Sequence, residues 1–120
     1  MNRQQKLQQE NYYRVLAIIE QEPRITQRDL ARRLQISLGG VNYSLKALIE
    51  RGWLKVQNFK NSENKLGYAY LLTPEGVSKK TQLAVDFLRR KKAEYEALEA
   101  EITDLQRQLA RPDDGTNLEG

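Results

Sequence analysis

What most constrains this chain is a long stretch without proline: after Pro74, none occurs until Pro112. The stretch opens on Thr73-Pro74-Glu75, where a capping hydroxyl, a proline at the first helical position and an acid in the first turn all mark a helix start. At 1.5 Å per residue, a helix over 74–111 is about 55 Å long, which outreaches a domain built from the rest of the chain. Tyr95, Leu98, Ile102, Leu105 and Leu109 are spaced three, four, three and four, and Leu88, Ala84, Thr81 and Val77 continue the rhythm backwards past Lys91. This is a coiled-coil seam, and Leu88, Tyr95, Leu98, Ile102, Leu105 and Leu109 are expected to join two subunits. Two outcomes compete with it: the seam folds back on the chain's own core, or the helix stands free with its apolar stripe exposed. Gly76 and the clustered charges weaken the first turns, and a break near 89–92 stays open. Glu94, Glu96, Glu99, Glu101 and Asp104 mostly lack an intrahelical basic partner and would repel across a parallel pair. An antiparallel pair sets them against Arg89, Arg90, Lys91 and Lys92, which favours it slightly, with parallel pairing kept open.

A chain of 120 residues has room for one compact core. It contains neither histidine nor cysteine, which removes imidazole and thiolate ligands, disulfides, cysteine nucleophiles and histidine general bases together. No metal and no cofactor is expected. Its apolar runs fall far short of the roughly 20 residues that span a bilayer, and the opening residues lack a signal peptide's apolar stretch, so no membrane role and a cytoplasmic location are expected. Charge is uneven: residues 1–72 hold 12 Lys/Arg against 6 Asp/Glu, and residues 73–120 hold 8 against 10. The basic part is where an anionic partner belongs, although a surplus serving solubility alone is the bland alternative.

The first 73 residues alternate helix and strand signals. A helix is expected over 7–21, with an apolar stripe of Tyr12, Val15, Leu16, Ile18 and Ile19, stopped by Pro23, and a short extended piece is expected at 24–25. Thr26 caps a second helix over 27–34, with Leu30, Ala31 and Leu34 inward; Gln35 and Ile36 turn; Ser37 caps a third helix over 38–51, with Val41, Leu45, Leu48 and Ile49 expected in the core. Gly52 stands where a C-cap glycine belongs. Strands are expected over 53–59 and 68–72, with a polar hairpin loop over 60–67 between them. The order is that of a mainly α (α+β) protein: a winged helix-turn-helix domain over 7–73, a long C-terminal dimerisation helix over 74–111, and a disordered tail over 112–120.

In such a unit the helix after the turn enters the major groove by its N-terminal part. With Val41, Leu45 and Leu48 inward, Leu38, Gly39, Asn42, Tyr43 and Lys46 face out. Asn42 is suited to read adenine, because an amide can pair with both N6 and N7, while Tyr43 and Lys46 can reach a base edge or a phosphate. Gly39 and Gly40 admit two readings. They let the helix start press on a phosphate, or they serve tight packing and a loose first turn. Ser37 is a cap first and a contact second. Lys55, Asn58, Lys60, Asn61, Asn64 and Lys65 suit a wing that contacts DNA, against the alternative of a merely solvated hairpin tip. Arg28 and Arg32 share an exposed face of the second helix and suit a backbone phosphate. No paired nucleophile and base, phosphate loop or carboxylate cluster is present, so no enzyme is expected.

The run Thr26-Gln-Arg-Asp-Leu-Ala-Arg-Arg-Leu-Gln-Ile-Ser-Leu-Gly-Gly-Val-Asn-Tyr-Ser-Leu-Lys-Ala-Leu-Ile-Glu-Arg-Gly-Trp-Leu54, followed by Tyr70-Leu-Leu-Thr-Pro-Glu-Gly76, resembles bacterial regulators of the MarR family. Residues 10–105 are similar to the short branch associated with exopolysaccharide biosynthesis genes. The resemblance implies a homodimer bound to double-stranded DNA at a roughly palindromic operator, with 37–46 as recognition positions and 58–65 as the wing. Family members are typically longer and dimerise through helices from both ends, so effector binding is not carried over and a small-molecule effector stays unassigned. A winged-helix protein-interaction module without specific DNA binding is the competing class.

Overall fold

A computed structural model describes residues 1–60 and 66–110, apart from the side chains of 59, 60, 66 and 67. The first helix, α1 (Arg3–Gln21), begins before the apolar stripe does, because Asn2 and Gln5 form a reciprocal capping box. The Asn2 side chain accepts from the Gln5 amide at 2.8 Å, and the Gln5 side chain accepts from the Asn2 amide at 3.0 Å. After α1 the chain turns through Pro23 and Arg24 without forming a strand, contrary to the extended piece expected there. Its hydrogen bonds are made elsewhere: Ile25 N–H donates back to Glu22, while the Pro23 carbonyl accepts from Tyr70 N–H at 2.9 Å.

Two short helices follow, α2 (Gln27–Leu34) and α3 (Leu38–Glu50), with Thr26 and Ser37 as their N-caps. Both end in the same way. Beyond α3, Gly52 adopts φ +76°, and Gly52 and Trp53 donate to the carbonyls of Ile49 and Leu48, a Schellman closure. Beyond α2, Gln35 takes the left-handed role at φ 58°, with Gln35 and Ile36 donating to Arg32 and Ala31. The inward row of α3 is Val41, Ser44, Leu45 and Leu48; Ile49, expected in the core, is 37% exposed. One residue past Leu48 is about 100° around the helix, enough to carry Ile49 off the buried face.

The antiparallel hairpin pairs β1 (Leu54–Lys60) with β2 (Leu66–Leu72), in a register that sets Leu54 against Leu72, Val56 against Tyr70 and Asn58 against Tyr68. The strands run further toward the tip than expected, since positions 60, 66 and 67 pair as strand. Trp53 precedes the sheet, and its carbonyl accepts from Thr73 N–H at 3.0 Å. The core gathers Val15, Leu16 and Ile19 from α1, Leu30 from α2, the α3 row, and Leu54 and Tyr70 from the hairpin.

The last helix, α4 (Pro74–Leu109), is continuous through 89–92. Thr73 caps it by accepting from Gly76 N–H at 2.9 Å while donating to the Gly52 carbonyl. Gly76, which weakened the expected first turn, is there for close approach: a Cβ at that position would lie 2.0 Å from the Trp53 carbonyl oxygen. The chain divides into two units, residues 1–85 and 86–120. The first includes Leu83, which is buried in the core, and a Lys80–Glu20 ion pair. In the second, the described residues are helix as far as Leu109, and Leu88, Tyr95, Leu98, Ile102, Leu105 and Leu109 are 47–64% exposed. The tail expected over 112–120 lies outside the described residues.

Candidate nucleic-acid interface

The backbone is tied at the start of α2, at the start of α3 and at the turn between them. The Thr26 hydroxyl accepts from Asp29 N–H at 3.0 Å, the Ser37 hydroxyl accepts from Gly40 N–H at 2.9 Å, and the Gln35 closure joins them. Each such cap is worth about 1 kcal/mol, and together they fix where α3 starts and which face it presents. Its buried row leaves Ser37, Leu38, Gly39, Asn42, Tyr43 and Lys46 exposed and Gly40 partly so. Asn42 and Lys46, four positions apart, share one strip, and Tyr43, 65% exposed, stands beside it.

The space around the two glycines narrows their readings. A Cβ at Gly39 would meet the Ser37 hydroxyl only at 3.9 Å, which is open contact. At Gly40 it would come within 3.2 Å of that hydroxyl and 3.6 Å of the Ile36 side chain, so Gly40 accommodates the cap and the turn. The nearest atoms at both glycines belong to Ser37 and Ile36 of the turn, so the close contacts there are with the turn and not with α2. Gly39 is left as an exposed helix start with room above it.

Arg28 and Arg32 lie exposed on α2. Arg32 is paired with Asp29 at 3.0 Å, an exposed contact worth little on its own, while Arg33 is held by Glu22. On the hairpin, Lys55 and Asn58 are exposed. Lys60 ends β1, but its side chain, together with Asn61, Asn64 and Lys65, lies outside the described residues. Tyr68 escaped the sequence reading: it is 64% exposed and faces Asn58 across the ladder. Tyr70, two residues on and on the same face of β2, is buried and accepts from the Gln27 side chain at 3.1 Å, so what separates the two tyrosines is that Tyr68 lies closer to the hairpin tip.

A groove of about 570 Å³ runs along the α1–α2 turn, lined among others by Arg24, Arg32 and Arg33. Because Asp29 and Glu22 already engage the last two, it is no concentrated anion site. Among the described residues there is no cluster of three or more acids that could hold a metal ion, and no helix long and apolar enough to cross a membrane.

Residues 9–55 match a family model described as winged helix-turn-helix DNA-binding. Compared by sequence with curated proteins, the chain has no match. Among solved structures it is similar to the PcaV transcriptional regulator of Streptomyces coelicolor in complex with its natural ligand, at 22% identity and a TM-score of 0.59, covering 86% of this chain and 74% of that one. It is also similar to MarR from E. coli in its apo form, at 21% identity and a TM-score of 0.55, covering 83% of this chain and 76% of that one. A third likeness is to a point mutant of ZitR from Lactococcus lactis, at 20% identity and a TM-score of 0.59, covering 83% of this chain and 66% of that one. At these identities what is shared is the fold: the winged helix-turn-helix of MarR-type regulators, with hairpin wing and long C-terminal helix.

Proposed function

We propose, from that fold as premise, that this chain is a transcriptional regulator that binds double-stranded DNA sequence-specifically as a homodimer. The observation that carries the reading is the exposed row at the start of α3, where Asn42, Tyr43 and Lys46 stand clear of the core on a helix whose start is capped and fixed. Asn42 is assigned to an adenine edge; Ser37 to Gly40 and Arg28 and Arg32 to the backbone; and the wing from Lys55 through Lys65 to phosphates or the minor groove. The α4 seam supplies the dimer, so that two copies of α3 meet the half-sites of a palindrome. Exopolysaccharide biosynthesis genes are the targets that the sequence resemblance suggests, in a bacterial cytoplasm.

The test is a duplex titration across salt, with the upstream region of the protein's own gene cluster against a scrambled duplex. The expected result is a preference of at least about 1,000-fold with a steep salt dependence, and in N42A a specific loss of about 1–3 kcal/mol with non-specific binding nearly intact. Equal losses on both duplexes would make Asn42 a positioning contact. No preference in the parent protein would move the reading to a protein-interaction module.

A further inference from the structure

Resting on the reading of α4 as a dimer helix, we propose that its partner is a second copy running antiparallel, in the register that sets Leu88 against the second copy's Leu105 and Tyr95 against its Leu98. The seam alone does not choose a direction; its flanks do. In the heptad defined by Leu88, Tyr95, Ile102 and Leu109, the charged flanking positions are Lys92 and Glu99 on one side and Glu94 and Glu101 on the other. A parallel in-register pair would bring Glu94 against the second copy's Glu99 twice and would offer no attraction in exchange. The antiparallel register brings Lys92 against the second copy's Glu99 twice and Glu94 against its Glu101 twice, so two attractions offset two repulsions where the parallel pair has repulsions alone.

That second juxtaposition is softened within the chain, because Lys91 Nζ holds Glu94 at 3.2 Å and lies 5.4 Å from the Phe87 ring centroid. Lys91 therefore turns its charge to the flank and leaves its methylene stem on the seam, opposite the second copy's Ile102. One charged residue in an otherwise apolar seam is a known way of selecting register at a cost in stability. Moving the antiparallel register by one heptad step in either direction sets Lys92 against the second copy's Lys92, or Glu99 against its Glu99. Either step replaces the two attractive pairs by one like pair, which is why this register is favoured over its neighbours.

The chain has no cysteine, so engineered thiols are its only thiols. In the proposed register a residue at 88 lies about 25 Å along the axis from its counterpart and beside 105 of the second copy. Under mild oxidation, full-length L88C should stay non-covalent while L88C/L105C forms a covalent dimer. E99K should raise the dimer dissociation constant roughly tenfold, and K92E/E99K should restore it. A covalent dimer of L88C, tighter association of E99K, or failure of L88C/L105C to cross-link would overturn the register while leaving a dimer in place. A parent protein that sediments as a monomer at tens of micromolar would instead remove the dimer reading on which the register rests.

Discussion

Two rows of apolar side chains repeat at helical spacing in this chain, and they meet opposite fates. Val41, Leu45 and Leu48 on α3 are 0–2% exposed, locked among α1, α2 and the hairpin, while Leu88, Tyr95, Leu98, Ile102, Leu105 and Leu109 on α4 remain 47–64% exposed. Periodicity alone is the same signal in both. What separates them is the supply of other apolar faces: residues 1–85 contain enough to close a core, and α4 beyond Val85 repeats its stripe with nothing in the described chain left to cover it. A row that finishes a core fixes a fold, whereas a row left open at this spacing calls for a partner.

Truncating one residue in each row breaks the comparison most sharply. L48A should cost about 2–5 kcal/mol in chemical denaturation at any protein concentration, because a fully buried leucine leaves a cavity. L98A, from a residue 56% exposed in the single chain, should cost little at high dilution and progressively more as concentration rises. A concentration-independent loss in L98A would mean that the seam is already covered within one chain.

A smaller effect tests the joint where α4 begins. The Cβ added by G76A would stand 2.0 Å from the Trp53 carbonyl oxygen, so the backbone must give way. The expected cost is about 1–3 kcal/mol by thermal or chemical denaturation. A neutral outcome would show that the first turn of α4 is not pressed against the α3–β1 connection. The smallest effect is expected at Gln35, whose φ of 58° is strained for a residue with a Cβ. Q35G should raise stability by about 0.5 kcal/mol, and a loss would mean that the Gln35 side chain contributes more than its backbone strain costs.

How legible these features were depends on how local their causes are. The start of α4 and the caps of α2 and α3 are written in adjacent residues, and Thr73, Thr26 and Ser37 cap as their neighbours suggest. The start of α1 is equally local, but the Asn2/Gln5 box lies outside the apolar stripe by which the helix is recognised in sequence. Ser44 and Ile49 exchanged places because helical phase overrides polarity: the serine sits on the buried strip and the isoleucine beside it. Gly76 could not be read from sequence, since its reason is a carbonyl 23 positions earlier. Nor could Gln35, because nothing in its type announces a left-handed backbone. Of the candidate interface, the outward row of α3 follows from the inward one, whereas Tyr68 shares a face of β2 with the buried Tyr70 and is exposed because it lies closer to the hairpin tip, which alternation does not show.

Function on this reading takes two parts of the molecule at once, with α3 reading DNA and the α4 seam making the reading dimeric. Both are tested in one sample by L98D/L105D, followed by sedimentation equilibrium and by titration with the preferred duplex and with a scrambled one. The predicted result is a monomer whose winged-helix domain still unfolds cooperatively, at a midpoint that no longer rises with protein concentration, and which retains weak salt-dependent binding to any duplex but loses its preference for the specific one. A variant that stayed dimeric, or that bound the preferred duplex as tightly as the parent, would contradict the account.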